Sequence, residues 1–235
     1  MGTVYGGNYL DFSMRERACD FSLGNEKRRV YTEGMQLVVD DWESQAPVIL
    51  HPPPMTDEEF VRFCERYPDH QIECSAEGEI IIMPPTYSEG SYRNGEVCGQ
   101  LREWARAGCR GRAFDASCGF VLPNGARRSP DAAWVSMERI AALPAEHRHG
   151  FFHLAPEFLI ELRSATDRLK KLQKKMEEWI ANGTQLAWLI DPEERVVWIY
   201  RPEQPPERLE NPERVTGEGP GAGFVLELAE VWAGV

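Results

Sequence analysis

Glu161 and Arg163 lie two residues apart in Pro156-Glu157-Phe158-Leu159-Ile160-Glu161-Leu162-Arg163-Ser164, a stretch in which apolar residues alternate. The alternation predicts a strand with Phe158, Ile160 and Leu162 on one face and Glu157, Leu159, Glu161 and Arg163 on the other. A carboxylate and a guanidinium then share one face of an otherwise apolar strand. An edge strand with one wet face would account for that much without any chemistry. A second acid shifts the balance. Asp131, in Arg128-Ser129-Pro130-Asp131, precedes Glu161 by thirty residues, a spacing that suits delivery from the neighbouring strand of the same sheet. Two acids and a fixed cation gathered at one end of a sheet point to chemistry rather than packing.

The elements that must position these groups can be read on either side. Downstream, residues 156–191 read as strand, helix, strand. Ser164-Ala165-Thr166-Asp167 has the form of a capping box, which makes Ser164 an N-cap rather than a nucleophile, since no histidine partner is suggested. The helix ends at Asn182-Gly183, a C-cap pair, and a strand follows over 186–190. Leu169, Leu172, Met176, Trp179 and Ile180 centre its buried stripe, at about 100° per residue. Lys170 and Lys174 point to solvent and Lys171 is intermediate. Lys175 sits roughly 80° from the stripe centre and about 40° from Trp179. Two readings of Lys175 stand: a solvated face, or methylenes run along the core boundary so that the ammonium reaches a neighbouring site.

Upstream, a helix over 92–107 carries Val97, Leu101, Trp104 and Ala105 as its apolar stripe, with Glu96 beside it and Arg93, Gln100 and Glu103 on the face of Glu96. A strand over 113–122 turns at Asn124-Gly125, and a short strand follows Asp131 over 132–135. Residues 137–153 read as a short helix and a loop. His147, His149 and His153 there are not read as a zinc cluster, because Gly150 interrupts any helix and no cysteine is close. Asp191, before Pro192, reads as a turn residue, and the tryptophans fall on apolar faces.

The outer parts of the chain are less marked. Residues 1–46 show little periodicity and read as a peripheral, poorly structured arm, with the main domain over 47–235. Thr56-Asp57-Glu58-Glu59 is a capping box opening a helix that ends before Pro68, and strands follow over 71–74 and 79–83 about a turn at Glu77-Gly78. After a strand over 196–200, a proline-rich loop at 202–221 leads to a last strand near 224–228.

Composition narrows the class. The formal charge is −12, which argues against tight non-specific DNA binding, so any DNA contact needs a local basic patch, a bound metal or a small footprint. The six cysteines form no C-x-x-C pair, and read as small buried hydrophobes in a reducing compartment. No apolar run suits a membrane span or a signal peptide, and the expected location is cytoplasmic.

Five stretches in order carry a resemblance: GEIIIMPPT at 78–86, RNGEV at 93–97, GFVLPNGARRSPDAAWVS at 119–136, PEFLIELRSATDRLKKLQKKMEEW at 156–179 and NGTQLAWLIDP at 182–192. Together they resemble the Uma-type endonuclease family of the PD-(D/E)xK restriction-endonuclease-like superfamily, over residues 51–232. The resemblance implies an α/β fold, a mixed central sheet flanked by helices, with acids converging at one end. Asp131 matches the PD aspartate, Glu161 the second acid, and Glu96 the helix glutamate of the metal shell. Arg163 stands where the superfamily has lysine. Arginine stays protonated and can hold a phosphate but cannot serve as a general base. In the family the lysine comes from the following helix, where Lys175 matches; Lys171 stands at a position often acidic in relatives.

On this resemblance the expected activity is DNA phosphodiester hydrolysis by an endonuclease, as a homodimer like related nucleases. Asp131, Glu161 and the Leu162 carbonyl would ligate Mg²⁺ or Mn²⁺. Lys175 would orient or deprotonate the attacking water or stabilise charge, Arg163 would grip a phosphate oxygen, and Gln100 would support Glu96. Two rival readings remain: a non-catalytic binding module on the same fold, and a hydrolase of smaller phosphoesters.

Overall fold

The computed structural model describes residues 47–108, 110–148 and 150–235, together with the backbone of four strands before them. Those strands are β1 (Tyr9–Phe12), β2 (Cys19–Leu23), β3 (Glu26–Val30) and β4 (Met35–Val38). The chain divides into two compact units, Met1–Pro85 and Thr86–Val235.

The first unit adds β5 (Val48–His51), α1 (Asp57–Arg66), β6 (Gln71–Cys74) and β7 (Ile80–Met83). Its strands pair antiparallel in the order β3-β2-β5-β7-β6. The arm expected over 1–46 thus lies partly outside the described residues, and its described pieces are strands, two of which continue the sheet beyond β5. The capping box is formed as its residues dictate. Thr56 Oγ1 accepts from the Glu59 amide at 3.2 Å, and Glu59 Oε2 accepts from the Thr56 amide at 2.8 Å. Phe60 and Phe63 are the buried face of α1.

The second unit holds every candidate site residue. Its elements are α2 (Ser88–Arg106), β8 (Gly111–Asp115), β9 (Phe120–Val121), β10 (Arg127–Arg128), β11 (Ala132–Ser136), α3 (Met137–Ala142), β12 (Phe158–Leu162), α4 (Leu169–Ala181), β13 (Leu186–Asp191) and β14 (Val196–Tyr200). Then come β15 (Glu207–Glu210), β16 (Arg214–Thr216), β17 (Val225–Glu227) and α5 (Ala229–Ala233). A six-stranded sheet runs β15-β14-β13-β12-β11-β8. Only β12 and β13 pair in parallel; the other neighbours are antiparallel. The reason is connectivity. Helix α4 crosses over between β12 and β13, as a parallel pair requires, while β13, β14 and β15 follow one another through short connections that allow antiparallel return.

Layers on both faces bury the centre of the sheet. Phe158, Ile160 and Trp188 pack with Val97 and Leu101 of α2 and with Phe224 and Leu226 from the C-terminal segment. Leu159, Ala187 and Leu189 pack on the opposite face with Met176 and Trp179 of α4. Trp179 and Trp188 are wholly buried, each worth about 1.5–3 kcal/mol or more by transfer of its apolar surface. This is the α/β mixed sheet with flanking helices that the sequence predicts.

Three local expectations need correction. Helix α4 begins at Leu169, with Arg168 as N-cap and no capping side chain. Ser164 and Asp167 instead close a separate turn, in which Asp167 Oδ2 accepts from the Ser164 amide at 2.9 Å and from its hydroxyl at 2.7 Å. The strand expected over 113–122 is interrupted between Asp115 and Phe120, where Asp115 folds back onto Ser117. The proline-rich segment also contains β15 and β16, each an edge strand whose pattern is too polar and short to read. Asn182 caps α4, with Gly183 at φ +109°, as its sequence predicts. Among the described residues no helix is long and apolar enough to cross a membrane.

Candidate active site

Asp131 ends the loop that enters β11. The last registered pair is Ala132 with Ile160, so one step further along the antiparallel ladder Asp131 stands opposite Glu161. Its Oδ2 accepts from the backbone amide of Leu162 at 2.7 Å, and its Oδ1 accepts from Asn94 Nδ2 of α2 at 3.2 Å. Cys98, one turn further along α2, donates its thiol to the Asp131 carbonyl at 3.2 Å. Desolvation pushes the Asp131 carboxyl above the usual carboxylate range, against the Leu162 amide, the charge of Lys175 and Asn94, which pull it down. Burial likewise raises the Cys98 thiol to about 11, so it is an un-ionised neighbour.

Glu161 faces α4, and its side chain is 5 % exposed. Lys175 Nζ lies 2.9 Å from Glu161 Oε1, and the Trp179 indole N–H donates to the same oxygen at 3.0 Å. One helical turn separates the two donors, so the i, i+4 geometry of α4 brings both to one carboxylate. The Lys175 side chain is 13 % exposed, its stem laid along the core boundary as its helical position predicts. Of its two readings, the structure takes the one that reaches the acid.

Arg163 is placed differently. It follows β12, and its Nη1 meets Asp191 Oδ2 at 2.5 Å while its Nε donates to the Asp167 carbonyl at 3.3 Å. Asp191 is fully buried, and its other oxygen accepts from the Glu194 amide at 3.2 Å, the turn role read from its position. The guanidinium is therefore engaged in tying the ends of β12 and β13 together.

Two further candidates lie apart from the acids. On α2 the buried stripe runs through Val97, Leu101 and Ala105. Asn94 and Cys98 flank it on the Asp131 side. Glu96 is about 160° around the helix from Asn94, on the other flank, beside Tyr92. The structure does not bring Glu96 to Asp131; Asn94 occupies that place. Gln100 shares the flank of Glu96 and clamps the backbone of Glu227, donating to its carbonyl at 3.0 Å and accepting from its amide at 2.8 Å. It holds β17 rather than a site residue. His147 and His153 stack at 3.9 Å between ring centroids, and His149 lies outside the described residues.

No group of three His, Cys, Asp or Glu side chains among the described residues forms a metal cage. Mg²⁺ does not require one, because it is commonly held by one or two carboxylates with water and substrate phosphate completing the shell. Asp131 and Glu161, opposite each other at a strand end, fit that mode of binding.

Asn94, Trp179 and Asp191 escaped the sequence reading as site residues. The signals were present. Trp179 lies one helical turn beyond Lys175, so whatever Lys175 reaches, Trp179 can reach too. Asp191 closes a run of apolar residues, where a buried carboxylate needs a cationic partner.

With this geometry in place, the comparisons define the class. The family model Uma2, described as "Putative restriction endonuclease", matches residues 57–229, and the chain belongs to that family. The structure is similar to the crystal structure of a putative nuclease belonging to DUF820 from Anabaena variabilis ATCC 29413. That similarity has a TM-score of 0.65 at 26% identity and covers 77% of this chain and 98% of the other. A weaker likeness, TM-score 0.33 at 15% identity, covers 52% of this chain and 11% of a chain in the DrdV–DNA complex. No curated protein matches.

Proposed function

We propose that this protein is a Mg²⁺- or Mn²⁺-dependent endonuclease that hydrolyses phosphodiester bonds in DNA. The observation that carries the reading is that Asp131 bonds the Leu162 amide, next to Glu161, at 2.7 Å while Lys175 of α4 reaches Glu161 at 2.9 Å. Family membership and the nuclease neighbour support it. Asp131, Glu161 and the Leu162 carbonyl would hold the ion, which when bound supplies an activated water and charge relief on the phosphoryl oxygens. The chain's own residues do the rest. The Leu162 amide and Asn94 fix the Asp131 carboxylate. Trp179 fixes Glu161 from the dry side. The Lys175 side chain stands at the reacting end of the sheet, where it can hold the attacking water or stabilise developing negative charge. Arg163 acts by position, holding the strand ends rather than a phosphate. A homodimer is the assembly expected of such a nuclease, and light scattering on the purified chain tests it.

One observation favours a second reading, a binding module without catalysis. Arg163, standing at the usual lysine position, is committed to Asp191. Mg²⁺ and Mn²⁺ calorimetry on wild type and Asp131→Ala, with plasmid nicking followed in the same samples, separates the two. The nuclease reading expects both signals in wild type and neither in the variant. DNA retention with no metal binding and no nicking would establish the binding module instead.

A further inference from the structure

Several cations of the second unit are neutralised where they stand. Arg93 pairs with Glu89, Arg128 with Glu178, and Arg201 with Glu207 and Glu218. On helix α4 three cations gather without such partners. Lys170, Lys171 and Lys174 are all exposed, and none makes an ion pair among the described residues. The first turn of α4 contains no acid.

Their positions are ordered about the helix. At about 100° per residue, Lys171 lies about 40° from Lys175, Lys174 about 100° and Lys170 about 140°, all on the side away from Trp179. The lysines therefore form an arc that begins in solvent and ends at the ammonium touching Glu161. Two acids fall near this arc. Glu178 is turned to Arg128 and Asn124, and Glu177 is exposed beyond the far end. Like charges three and four residues apart on a helix repel by a few tenths of a kcal/mol per pair, roughly 0.2–0.5. Lys174 has Glu177 and Glu178 three and four residues on, but Glu178 is turned to Arg128 and Asn124, and within α4 neither Lys170 nor Lys171 has an acid at those spacings. The complement to such an arc is a ligand with repeated negative charge.

We propose that the Lys170–Lys171–Lys174 arc is the surface along which the DNA phosphate backbone runs as it approaches Lys175 and the two acids. The proposal rests on the nuclease reading and adds to it the place where the flanking phosphates bind. It also reconciles a net charge of −12 with a polyanionic substrate, because contact needs only this local strip. Backbone contacts of this kind carry affinity and orientation but no base sequence.

The test compares three full-length proteins: wild type, the triple variant Lys170→Ala/Lys171→Ala/Lys174→Ala, and the charge-preserving Lys→Arg triple at the same positions. Each is assayed in Mg²⁺ and Mn²⁺ on plasmid DNA across a salt series and on bis(p-nitrophenyl) phosphate, a diester with no flanking phosphates. The alanine triple is expected to raise the plasmid KM roughly tenfold and to reduce the slope of log kcat/KM against log salt by about two. Its turnover of the small diester stays at the wild-type value, and the arginine triple behaves as wild type on both substrates. An unchanged plasmid KM and salt slope in the alanine triple overturns the track and leaves the nuclease reading standing. Equal losses on both substrates also overturn it, since they place the lysines in the general integrity of the site. Wild type that cleaves neither substrate removes the nuclease reading, and the track falls with it.

Discussion

Asp131 takes its hydrogen bonds from the sheet and α2, whereas Glu161 takes its hydrogen bonds from α4. The donors to Asp131 are neutral, a backbone amide and an asparagine. Those to Glu161 are an ammonium and an indole. Desolvation therefore leaves Asp131 with a raised carboxyl, while Glu161 has a counter-ion at hydrogen-bond distance. Two acids on opposite sides of one ladder position thus differ in what ionisation costs the fold. A site that must bind a cation gains from such a difference: one carboxylate is already compensated, and the other is ionised at a cost that a bound cation can offset.

Breaking the two halves of the site should affect activity alike and stability oppositely. Glu161→Gln and Asp131→Asn are each expected to abolish metal-dependent nicking. Glu161→Gln should also cost on the order of 3 kcal/mol in chemical denaturation, because Lys175 loses the carboxylate at hydrogen-bond distance in a nearly dry place. Trp179→Phe is next in size. It removes the indole donor to Glu161 and leaves a void beside Phe120, for an expected loss of about 1–3 kcal/mol and lowered nicking. A Trp179→Phe protein with wild-type turnover would show that Lys175 orients Glu161 unaided.

Asp131→Asn should move stability in the other direction. The folded carboxyl titrates above its unfolded counterpart, so the fold favours the protonated form. The group's stabilisation is complete below the unfolded value and is lost as pH rises through the folded one. At neutral pH, in chelator, Asp131→Asn is therefore expected to match or exceed wild type in Tm. That advantage should fade as the pH is lowered toward the ordinary carboxylate range. A loss of Tm at every pH would mean that the Leu162 and Asn94 hydrogen bonds outweigh desolvation. The smallest effect belongs to Glu96→Gln, which is expected to leave Mg²⁺ affinity at the wild-type value, since the helix turns this residue away from Asn94. Abolished metal binding in that variant would return Glu96 to the metal shell.

The legibility of the site follows the kind of interaction involved. Lys175 could be selected among its neighbours because helical periodicity is a local property, and one turn of α4 decides which lysine borders the core. The strand pattern of 158–162 and the thirty-residue offset to Asp131 likewise put both acids at one sheet end. Glu96 was placed on the correct helix and beside the correct stripe. Which flank of that stripe meets Asp131 depends on how α2 is rolled against the sheet, where its stripe packs in one core with Trp134, Phe224 and Leu226. Arg163 shows the same limit. Its type and place suggested a phosphate grip, but the parallel partner strand ends in a buried acid that takes the guanidinium.

Periodicity marked the strand that carries Glu161 and the one lysine able to border the core, and the family resemblance assigned Asp131, Glu161 and Lys175 to one end of a mixed sheet. The periodicity readings depend on residues within a few positions of one another, where backbone geometry leaves little choice. Tertiary structure alone decided that Asn94 rather than Glu96 meets Asp131, that Trp179 shares an oxygen of Glu161 with Lys175, and that Asp191 takes Arg163. Those contacts join residues of different elements or depend on their exact rotation, and only close packing of the layers determines such rotations.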